Sequence, residues 1–273
     1  MRSTDKEITV AVAGLGAAGL PVARWLDRGV PGLRLTAVAA SSPDRARTLT
    51  QDFEVAPLAV PLADLPRHAD VIVEALPPAR FRDVADPAIE AGRTLIILSL
   101  TQLLAHMQLI DRARETGARI IAASGAIAGL DAVRAAAMGG AGRAVLQTRK
   151  PPASLANAPF VREAGLDLAG LSEPLCLFSG NVAEAAQKFP ANVNVAVAVA
   201  LAGWGAEQTG YEIWADPGIT RNTHKIMIES DAVRLEIAVA NVPSEENPAT
   251  GRMTPLSVMA TLQRLTAVSI IGS

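Results

Sequence analysis

Short apolar runs alternate with amphipathic stretches along the first half of the chain. Runs rich in β-branched residues predict five strands, at Ile8–Ala13, Leu33–Ala39, Val71–Ala75, Thr94–Ser99 and Arg119–Ala123. Amphipathic stretches between them predict helices at Ala17–Arg28, Asp44–Asp52, Arg80–Ala91 and Thr101–Thr116. Apolar strands separated by helices indicate βαβ crossovers and a parallel sheet covered on both faces.

The pattern changes beyond about Ser124, where strands with alternating apolar and polar positions dominate. Such strands are typical of a sheet with one buried face and one polar face. They are predicted at Ala144–Thr148, Tyr211–Ala215, Lys225–Ile228 and Ala232–Val242. The segment Asn192–Leu201 fits a strand by its alternation and a helix by its alanine content. A final amphipathic helix is predicted at Thr254–Leu265, with Pro255 in its first turn.

Composition narrows the function classes. The 273 residues are 50% hydrophobic and 19% charged, which is enough apolar sequence for a sizeable buried core. The formal net charge of −2 gives no electrostatic footprint for nucleic acid. A single cysteine, Cys176, excludes an internal disulfide framework and a multi-cysteine zinc site, and we predict no metal centre.

Two long uncharged stretches bear on targeting. Residues 8–23 carry no charge, but acidic residues precede them, and glycines and a proline interrupt them, unlike a signal peptide. Residues 195–206 fall short of the ~18 needed to cross a bilayer. We therefore expect a soluble, cytoplasmic protein that makes no membrane contact.

A glycine motif stands between the first predicted strand and the first predicted helix. It reads GxGxxG, comprising Gly14, Gly16 and Gly19 with Ala17 and Ala18 between the last two. In this context the first glycine permits a tight turn, and the second lets a pyrophosphate approach the backbone at the helix N-terminus. The third permits close packing of the helix on the strand. The motif predicts a dinucleotide-binding site.

The end of the second predicted strand bears on which dinucleotide binds. Sites that prefer NAD often carry an acidic residue there, which binds the ribose 2′-hydroxyl. Here Ser41 and Ser42 occupy this place and Arg45 follows, so hydroxyls and a guanidinium could bind a 2′-phosphate. We expect NADP or NAD, with NADP used at least as well. The alternative is that these residues only form a polar turn and a helix cap.

Five further motifs resemble the L-aspartate dehydrogenase family. With the glycine motif they extend the resemblance to nearly the whole chain. In order they lie at Ser124–Ala132, Thr148–Pro152, Phe189–Ala196, Ala215–His224 (ADP and RNTH) and Asn241–Pro248. Two departures stand out: SLTQL at 99–103 where the family commonly has SVGAL, and NPATG at 247–251 where it commonly has NPKTS.

The resemblance implies an α/β fold with a Rossmann dinucleotide-binding domain and a mixed α/β substrate and dimerisation domain. We expect the Rossmann domain at residues 1–123, with 247–273 returning to it, and the second domain at 124–246. The resemblance also implies a homodimer, contacts of Ala126 and Asn192 with the cofactor, and a catalytic role for His224.

The implied reaction is the NAD(P)-dependent oxidative deamination of L-aspartate to oxaloacetate and ammonia through iminoaspartate, or its reverse. Imidazole titrates near neutral pH, so we expect His224 to act as the acid/base that activates the attacking water. Lys150, Arg149, Arg221 and Asn222 are candidates to bind the two substrate carboxylates. Alternatives are a dehydrogenase or imine reductase for another small amino acid, and a redox sensor that binds NAD(P) without turnover.

Overall fold

The computed structural model describes residues 7–190, 192–244 and 251–272. It divides into two compact units. The first contains the residues up to Gly125 together with Thr254–Ile271, and the second contains Ala126–Met253. The first unit thus takes its residues from two separate parts of the sequence.

A six-stranded parallel sheet forms the centre of the first unit. Its spatial order is β3-β2-β1-β4-β5-β6, which is the doubly wound Rossmann order. The strands are β1 Ile8–Ala13, β2 Leu33–Ala39, β3 Leu58–Ala59, β4 Val71–Glu74, β5 Thr94–Ile97 and β6 Arg119–Ala122. Because helices cover the sheet, the last four residues of β1 and all four residues of β4 are buried.

Six α-helices belong to this unit within the described residues. They are α1 Gly19–Asp27, α2 Pro43–Leu49, α3 Arg82–Glu90, α4 Leu100–Ala105, α5 Gln108–Thr116 and, late in the sequence, α10 Met253–Thr266. Short 3₁₀ turns lie at Leu62–Arg67 and Pro78–Arg80. Val258 and Leu262 of α10 are fully buried in the same core cluster as Val10 and Val12 of β1. The carboxyl-terminal helix therefore completes the core around the first strand.

The structure modifies one predicted helix of this unit. The stretch Thr101–Thr116 forms two helices, because His106 leaves helical geometry with φ −133° and ψ 48° and ends α4. Gly117, with a positive φ of 77°, then ends α5. The five predicted strands are present, each within two residues of its predicted bounds.

A mixed five-stranded sheet forms the second unit, in the order β11-β10-β7-β9-β8. The central strands β7 and β9 run parallel, and the outer pairings are antiparallel. The strands are β7 Gly142–Lys150, β8 Leu175–Asn181, β9 Thr209–Ala215, β10 Thr223–Ser230 and β11 Arg234–Ala240. The helices are α6 Leu130–Met138, α7 Pro159–Glu163, α8 Val182–Lys188 and α9 Asn194–Ala202, with a 3₁₀ turn at Pro152–Ser154.

The ambiguous segment 192–201 forms a helix rather than a strand. Five consecutive residues of α9, Ala196 to Ala200, are buried, so the helix is covered on all sides. Its alternation of valine and alanine therefore did not mark a polar and an apolar face. Strand β8 and the helices α6, α7 and α8 were not predicted. No helix in the described parts of the chain has both the length and the apolar character to cross a bilayer.

Candidate functional site

The glycine motif forms a tight turn at the carboxyl end of β1. Gly14 has a φ of +96°, and a Cβ there would lie 2.3 Å from the carbonyl oxygen of Ala75. A Cβ on Gly19 would lie 1.8 Å from the carbonyl oxygen of Gly14. Both positions therefore require glycine for reasons of backbone geometry.

Gly16 differs from the other two glycines because a Cβ there would meet nothing within 4 Å. It lies exposed just before α1, whose N-cap Ala18 has no capping side chain. The first backbone N–H groups of a helix without such a cap remain available to an anion. The turn thus has the open space and the donors that a pyrophosphate needs, and Gly14, Gly16, Ala17, Ala18 and Gly19 lie together around it.

A buried carboxylate organises the neighbouring loops, and it was missed at the sequence level. Glu74, at the end of β4, is fully buried and accepts hydrogen bonds from the backbone N–H groups of Leu76, Leu98 and Ser99. The Ser99 hydroxyl donates a fourth bond, of 2.8 Å. Burial raises the pKa of the Glu74 carboxyl above its ordinary value, and these four donors only partly oppose that shift. Because the four partners donate, the ionised form is the one that satisfies them all.

The residues predicted to select the dinucleotide lie around the start of α2. Ser42 is the N-cap of this helix, and its hydroxyl oxygen accepts a 3.1 Å hydrogen bond from the backbone N–H of Arg45. Ser41, Ser42 and Arg45 are exposed. The nearby Asp44 forms its ion pair with Arg47, and Arg45 forms none within the described ranges. The Arg45 guanidinium is thus free for another anion.

In the second unit, three polar side chains gather on the buried face of the sheet. Thr148 and Lys150 lie two residues apart in β7, so both point to the face that α6, α8 and α9 cover. His224 lies directly opposite Thr148 in the antiparallel partner strand β10. Strand β7 ends and β10 begins at this edge, so the cluster lies at one end of the sheet.

His224 is held by a single side chain. Its Nδ1 lies 3.0 Å from Oγ1 of Thr148, and the ring is 5% exposed. Nε2 forms no hydrogen bond with the described residues. Burial and the nearby charge of Lys150 lower the pKa of His224 to about 4. The imidazole is therefore neutral near pH 7, because its pKa lies well below the ordinary value of 6.5.

Lys150 is buried without a carboxylate partner among the described residues. Its Nζ donates a 2.7 Å hydrogen bond to Oδ1 of Asn192, and burial lowers its pKa to about 8. Asn192, a predicted cofactor contact, is half-buried just before α9. Lys150 is thus largely charged near pH 7 and retains donor capacity for an anion.

Tyr211, in β9, lies on the same buried face and was not predicted as a site residue. It is 1% exposed, and burial raises its pKa far above the ordinary value. The phenol hydroxyl has no hydrogen-bond partner among the described residues.

The structure does not bring Arg149 to this cluster. Side chains alternate along β7, so Arg149 points to the opposite face of the sheet from Thr148 and Lys150. Its guanidinium donates a 3.0 Å hydrogen bond to Asp216 and lies 5.1 Å from the centre of the Trp214 ring. Its donors are therefore largely engaged by neighbouring side chains.

Asn241 connects two of the remaining predicted residues and was missed at the sequence level. Its side-chain amide donates a 2.9 Å hydrogen bond to the carbonyl oxygen of Ala126, and its backbone N–H donates one to the carbonyl of Asn222. Arg221 is exposed and Asn222 half-buried just before β10. Residues 247–250 of the altered NPATG segment lie outside the described residues. Within the described ranges, no group of three metal-ligating side chains is present.

Comparison with known proteins agrees with this geometry. The C-terminal domain model of aspartate dehydrogenase matches residues 131–265, and the NAD-binding domain model of homoserine dehydrogenase matches residues 14–123. L-aspartate dehydrogenase 3 of Bordetella bronchiseptica is 45% identical over 99% of this chain and 100% of its own length. The chain belongs to the L-aspartate dehydrogenase family. The L-aspartate dehydrogenase of Bradyrhizobium diazoefficiens is 42% identical, over 100% of this chain and 96% of its own.

The fold agrees as well. The crystal structure of aspartate dehydrogenase from Thermotoga maritima aligns with a TM-score of 0.71 and 24% identity, covering 97% of this chain and 99% of that one. The predicted family and the predicted α/β class with a Rossmann unit are confirmed. The NAD-binding model also confirms the prediction of NAD or NADP as cofactor.

Proposed function

We propose that this chain is an NAD(P)-dependent L-aspartate dehydrogenase that interconverts L-aspartate with oxaloacetate and ammonia through iminoaspartate. Relatives that carry this name align with the whole chain at 42% and 45% identity. The observation that carries the proposal is the buried cluster of the second unit. There Lys150, a cation with no carboxylate partner among the described residues, lies near a neutral imidazole, His224.

Lys150 is the residue that we propose to bind a substrate carboxylate. A buried ammonium is costly unless an anion compensates it. Within the part of the chain that the structure describes, Lys150 donates one bond, to Asn192, and this leaves two of its three donors for a ligand. A carboxylate of the amino acid supplies that charge. Arg221 and Asn222 are proposed to bind the second carboxylate. Arg149 is the weakest of the four substrate candidates, because its partners lie on the other face of the sheet.

His224 is the proposed catalytic residue. Thr148 occupies its Nδ1, so Nε2 is the nitrogen that can reach the reacting oxygen. When it is bound, the nicotinamide accepts the hydride from Cα of the amino acid. Water then hydrolyses the imine. We propose that the water oxygen that adds to Cα is hydrogen-bonded to Nε2 of His224.

The proposed cofactor contacts follow the geometry of the turns. Gly14, Gly16, Ala17, Ala18 and Gly19 would bind the pyrophosphate through open space and backbone donors. Ser41, Ser42 and Arg45 would bind the adenosine ribose, with a preference for its 2′-phosphate. Ala126 and Asn192 are the contacts that the family resemblance implies.

We further propose that the two units act as a dinucleotide-binding domain and a substrate and dimerisation domain, and that the enzyme is a cytoplasmic homodimer. The outward face of the second sheet offers an interface, because Val145, Trp214 and Met227 are only partly covered there. Sedimentation equilibrium tests the dimer, since a species of only 28.3 kDa would exclude it. Three alternative uses of the reaction follow from its chemistry: aspartate synthesis, aspartate breakdown, or supply of iminoaspartate to NAD biosynthesis.

A cofactor-reduction assay across a panel of amino acids tests the activity. We expect reduction of NAD or NADP with L-aspartate to exceed that with other amino acids. If another amino acid gives a higher turnover, that amino acid replaces L-aspartate as the proposed substrate. Cofactor binding without turnover of any amino acid, measured by nicotinamide fluorescence, would instead indicate a redox sensor.

A further inference from the structure

The parallel strands β7 and β9 end at the same edge of the second sheet, and the residue after β9 is bonded to the end of β7. The backbone N–H of Asp216 donates a 2.9 Å hydrogen bond to the carbonyl oxygen of Lys150, the last residue of β7. Residues 217–222 then lead to β10, which pairs with β7 on its other side. This segment, the crossing loop, therefore passes from one side of β7 to the other at the edge where Lys150 and His224 lie.

The crossing loop is longer than the gap between its ends requires. Neighbouring strands lie ~4.8 Å apart, so a loop that crosses one strand spans ~10 Å. The six residues 217–222 can reach ~20 Å when extended. The excess length permits many backbone conformations, so contacts at the ends of the loop must select one of them.

The Asp216 carboxylate fixes the start of the crossing loop. Its Oδ1 accepts a 2.9 Å hydrogen bond from the backbone N–H of Gly218, and its Oδ2 accepts a 3.0 Å bond from Nη1 of Arg149. Asp216 is only 6% exposed, so these donors replace water around its charge. At the other end of the loop, the carbonyl oxygen of Asn222 accepts a 2.9 Å bond from the backbone N–H of Asn241.

Arg149 is itself held in place on the outward face of the sheet. Its guanidinium carbon lies 5.1 Å from the centre of the Trp214 ring, and its Nε donates a 3.2 Å hydrogen bond to Oε1 of Gln147. One carboxylate oxygen of Glu212 accepts 2.9 Å bonds from both the Trp214 indole and the Gln147 amide. The guanidinium is therefore preorganised, and because it is planar it fixes the direction of its bond to Asp216 as well as the length.

We infer that Arg149 is a positioning residue that acts through Asp216 to fix the crossing loop. That loop carries Arg221 and Asn222, and β10 with His224 begins directly after it. Arg149 thus supports the groups that bind the substrate rather than binding it directly. The inference rests on the proposed function for the ligand, an amino acid with two carboxylates, but not for the anchoring of the loop.

Hydrogen exchange of the full-length, ligand-free protein measures the anchoring. In Arg149→Met we expect the Gly218 amide and the other amides of the crossing loop to exchange roughly tenfold faster than in the wild type, because the loop opens more easily. The matched control is Arg143→Met. Arg143 lies on the same face of the same strand but pairs with Glu229, far from the loop, so loop exchange should not change. Wild-type loop exchange in Arg149→Met would overturn the inference.

Steady-state kinetics distinguishes positioning from a general effect on stability. Arg149→Met and Asp216→Asn should each raise the KM for L-aspartate roughly 10–100-fold, the usual cost of misplaced binding groups. The turnover number kcat should stay near the wild-type value, because pairing of β10 with β7 and β11 still holds His224. A purely structural role would lower the folded fraction, and kcat with it, at an unchanged KM. That result would overturn the inference.

The double variant Arg149→Met/Asp216→Asn tests whether Arg149 acts through Asp216. It should raise KM no more than the larger single effect, since both changes remove the same contact. Arg149→Lys keeps the charge and should recover part of the lost affinity. Additive increases in KM would overturn the inference. If loop exchange responds as expected but the wild type does not turn over aspartate, the anchoring stands and the proposed function fails.

Discussion

The ammonium of Lys150 lies 2.7 Å from the amide oxygen of Asn192, and this neutral oxygen is its hydrogen-bond partner within the described ranges. An amide oxygen is neutral, so it does not compensate the cost of burying the ammonium. This cost lowers the stability of the folded protein. Burial lowers the pKa of Lys150 from 10.5 to about 8, so protonating it in the folded state costs stability below pH 8. As the pH rises from 8 to 10.5, that cost is progressively released.

Lys150→Met should therefore stabilise the fold while it abolishes aspartate turnover. At pH 7 we expect the free energy of unfolding to increase by up to about 3 kcal/mol, the equivalent of the shift in pKa. Urea unfolding measures it. The control is Lys225→Met in β10, where Lys225 is half-exposed and paired with Glu236 at 3.0 Å, so no gain is expected. If Lys150→Met is less stable than the wild type, the buried ammonium does not destabilise the fold.

The same titration should appear in substrate binding. Lys150 must be charged to attract a carboxylate, so kcat/KM for aspartate should fall as the pH rises above about 8. No rise or fall due to His224 is expected between pH 5 and 7, because its pKa is about 4. The full pH profile of kcat/KM tests both statements. If kcat/KM instead changes around pH 6.5, His224 titrates close to its ordinary pKa.

His224→Ala should lower kcat by roughly 10²–10⁴-fold, the range found for positioned groups that assist proton transfer and charge stabilisation. Cofactor affinity should change little, because the proposed pyrophosphate turn at Gly14–Gly19 belongs to the other unit. Turnover and cofactor binding by nicotinamide fluorescence are measured on the same preparation. Parallel loss of both would indicate misfolding rather than a catalytic defect.

Arg45→Ala should raise the KM for NADP and leave that for NAD nearly unchanged. The Arg45 guanidinium is exposed and, within the described residues, has no ion-pair partner, so it can bind a 2′-phosphate that NAD lacks. Arg47→Ala is the matched control, because Arg47 is paired with Asp44 on the same helix. Equal effects of Arg45→Ala on the two cofactors would mean that Arg45 does not contact the 2′-phosphate.

Glu74→Gln should destabilise the first unit although it only replaces one carboxylate oxygen by an NH₂ group. The carboxylate accepts four hydrogen bonds. An amide NH₂ group is itself a donor, so it cannot accept the bonds that the replaced oxygen accepted. Each donor left without an acceptor costs about 1–3 kcal/mol. Thermal unfolding compares it with Asp86→Asn, an exposed carboxylate paired with Arg82, for which little change is expected. A Glu74→Gln protein as stable as the wild type would mean that Glu74 is already protonated.

The sequence predicted the parts of the fold that repeat a local pattern. The predicted strands of the parallel sheet are short segments made mostly of apolar residues, and the turn at Gly14 has a backbone conformation that requires glycine. Helix α9 was left open because valine and alanine are both apolar, so their alternation carries no polar phase. In strand β8 the adjacent residues Leu177 and Phe178 are both buried, and the positions around them are exposed or partly buried, so the strand lacks a regular alternation.

The sequence predicted which residues form much of the candidate site, but not their pKa values. The motifs pointed to Lys150 and His224, yet nothing in the spacing of residues 150 and 224 indicates that β7 and β10 pair in the register that sets His224 opposite Thr148. Burial lowers both pKa values, and it depends on packing between distant segments. Glu74, Tyr211 and Asn241 were missed for the same reason, because their burial or hydrogen bonds depend on segments remote in sequence.

Helix α10 contributes Val258 and Leu262 to the core around β1 and β2, so the first unit cannot finish folding while it is being synthesised from its own amino-terminal segment. On the ribosome, the residues of the second unit are complete before α10 emerges. The nascent first unit therefore waits with an apolar surface exposed, which is the condition that attracts chaperones and promotes aggregation. A circular permutant that begins at α10 and continues into β1 should shorten that interval, and its yield of soluble protein should rise.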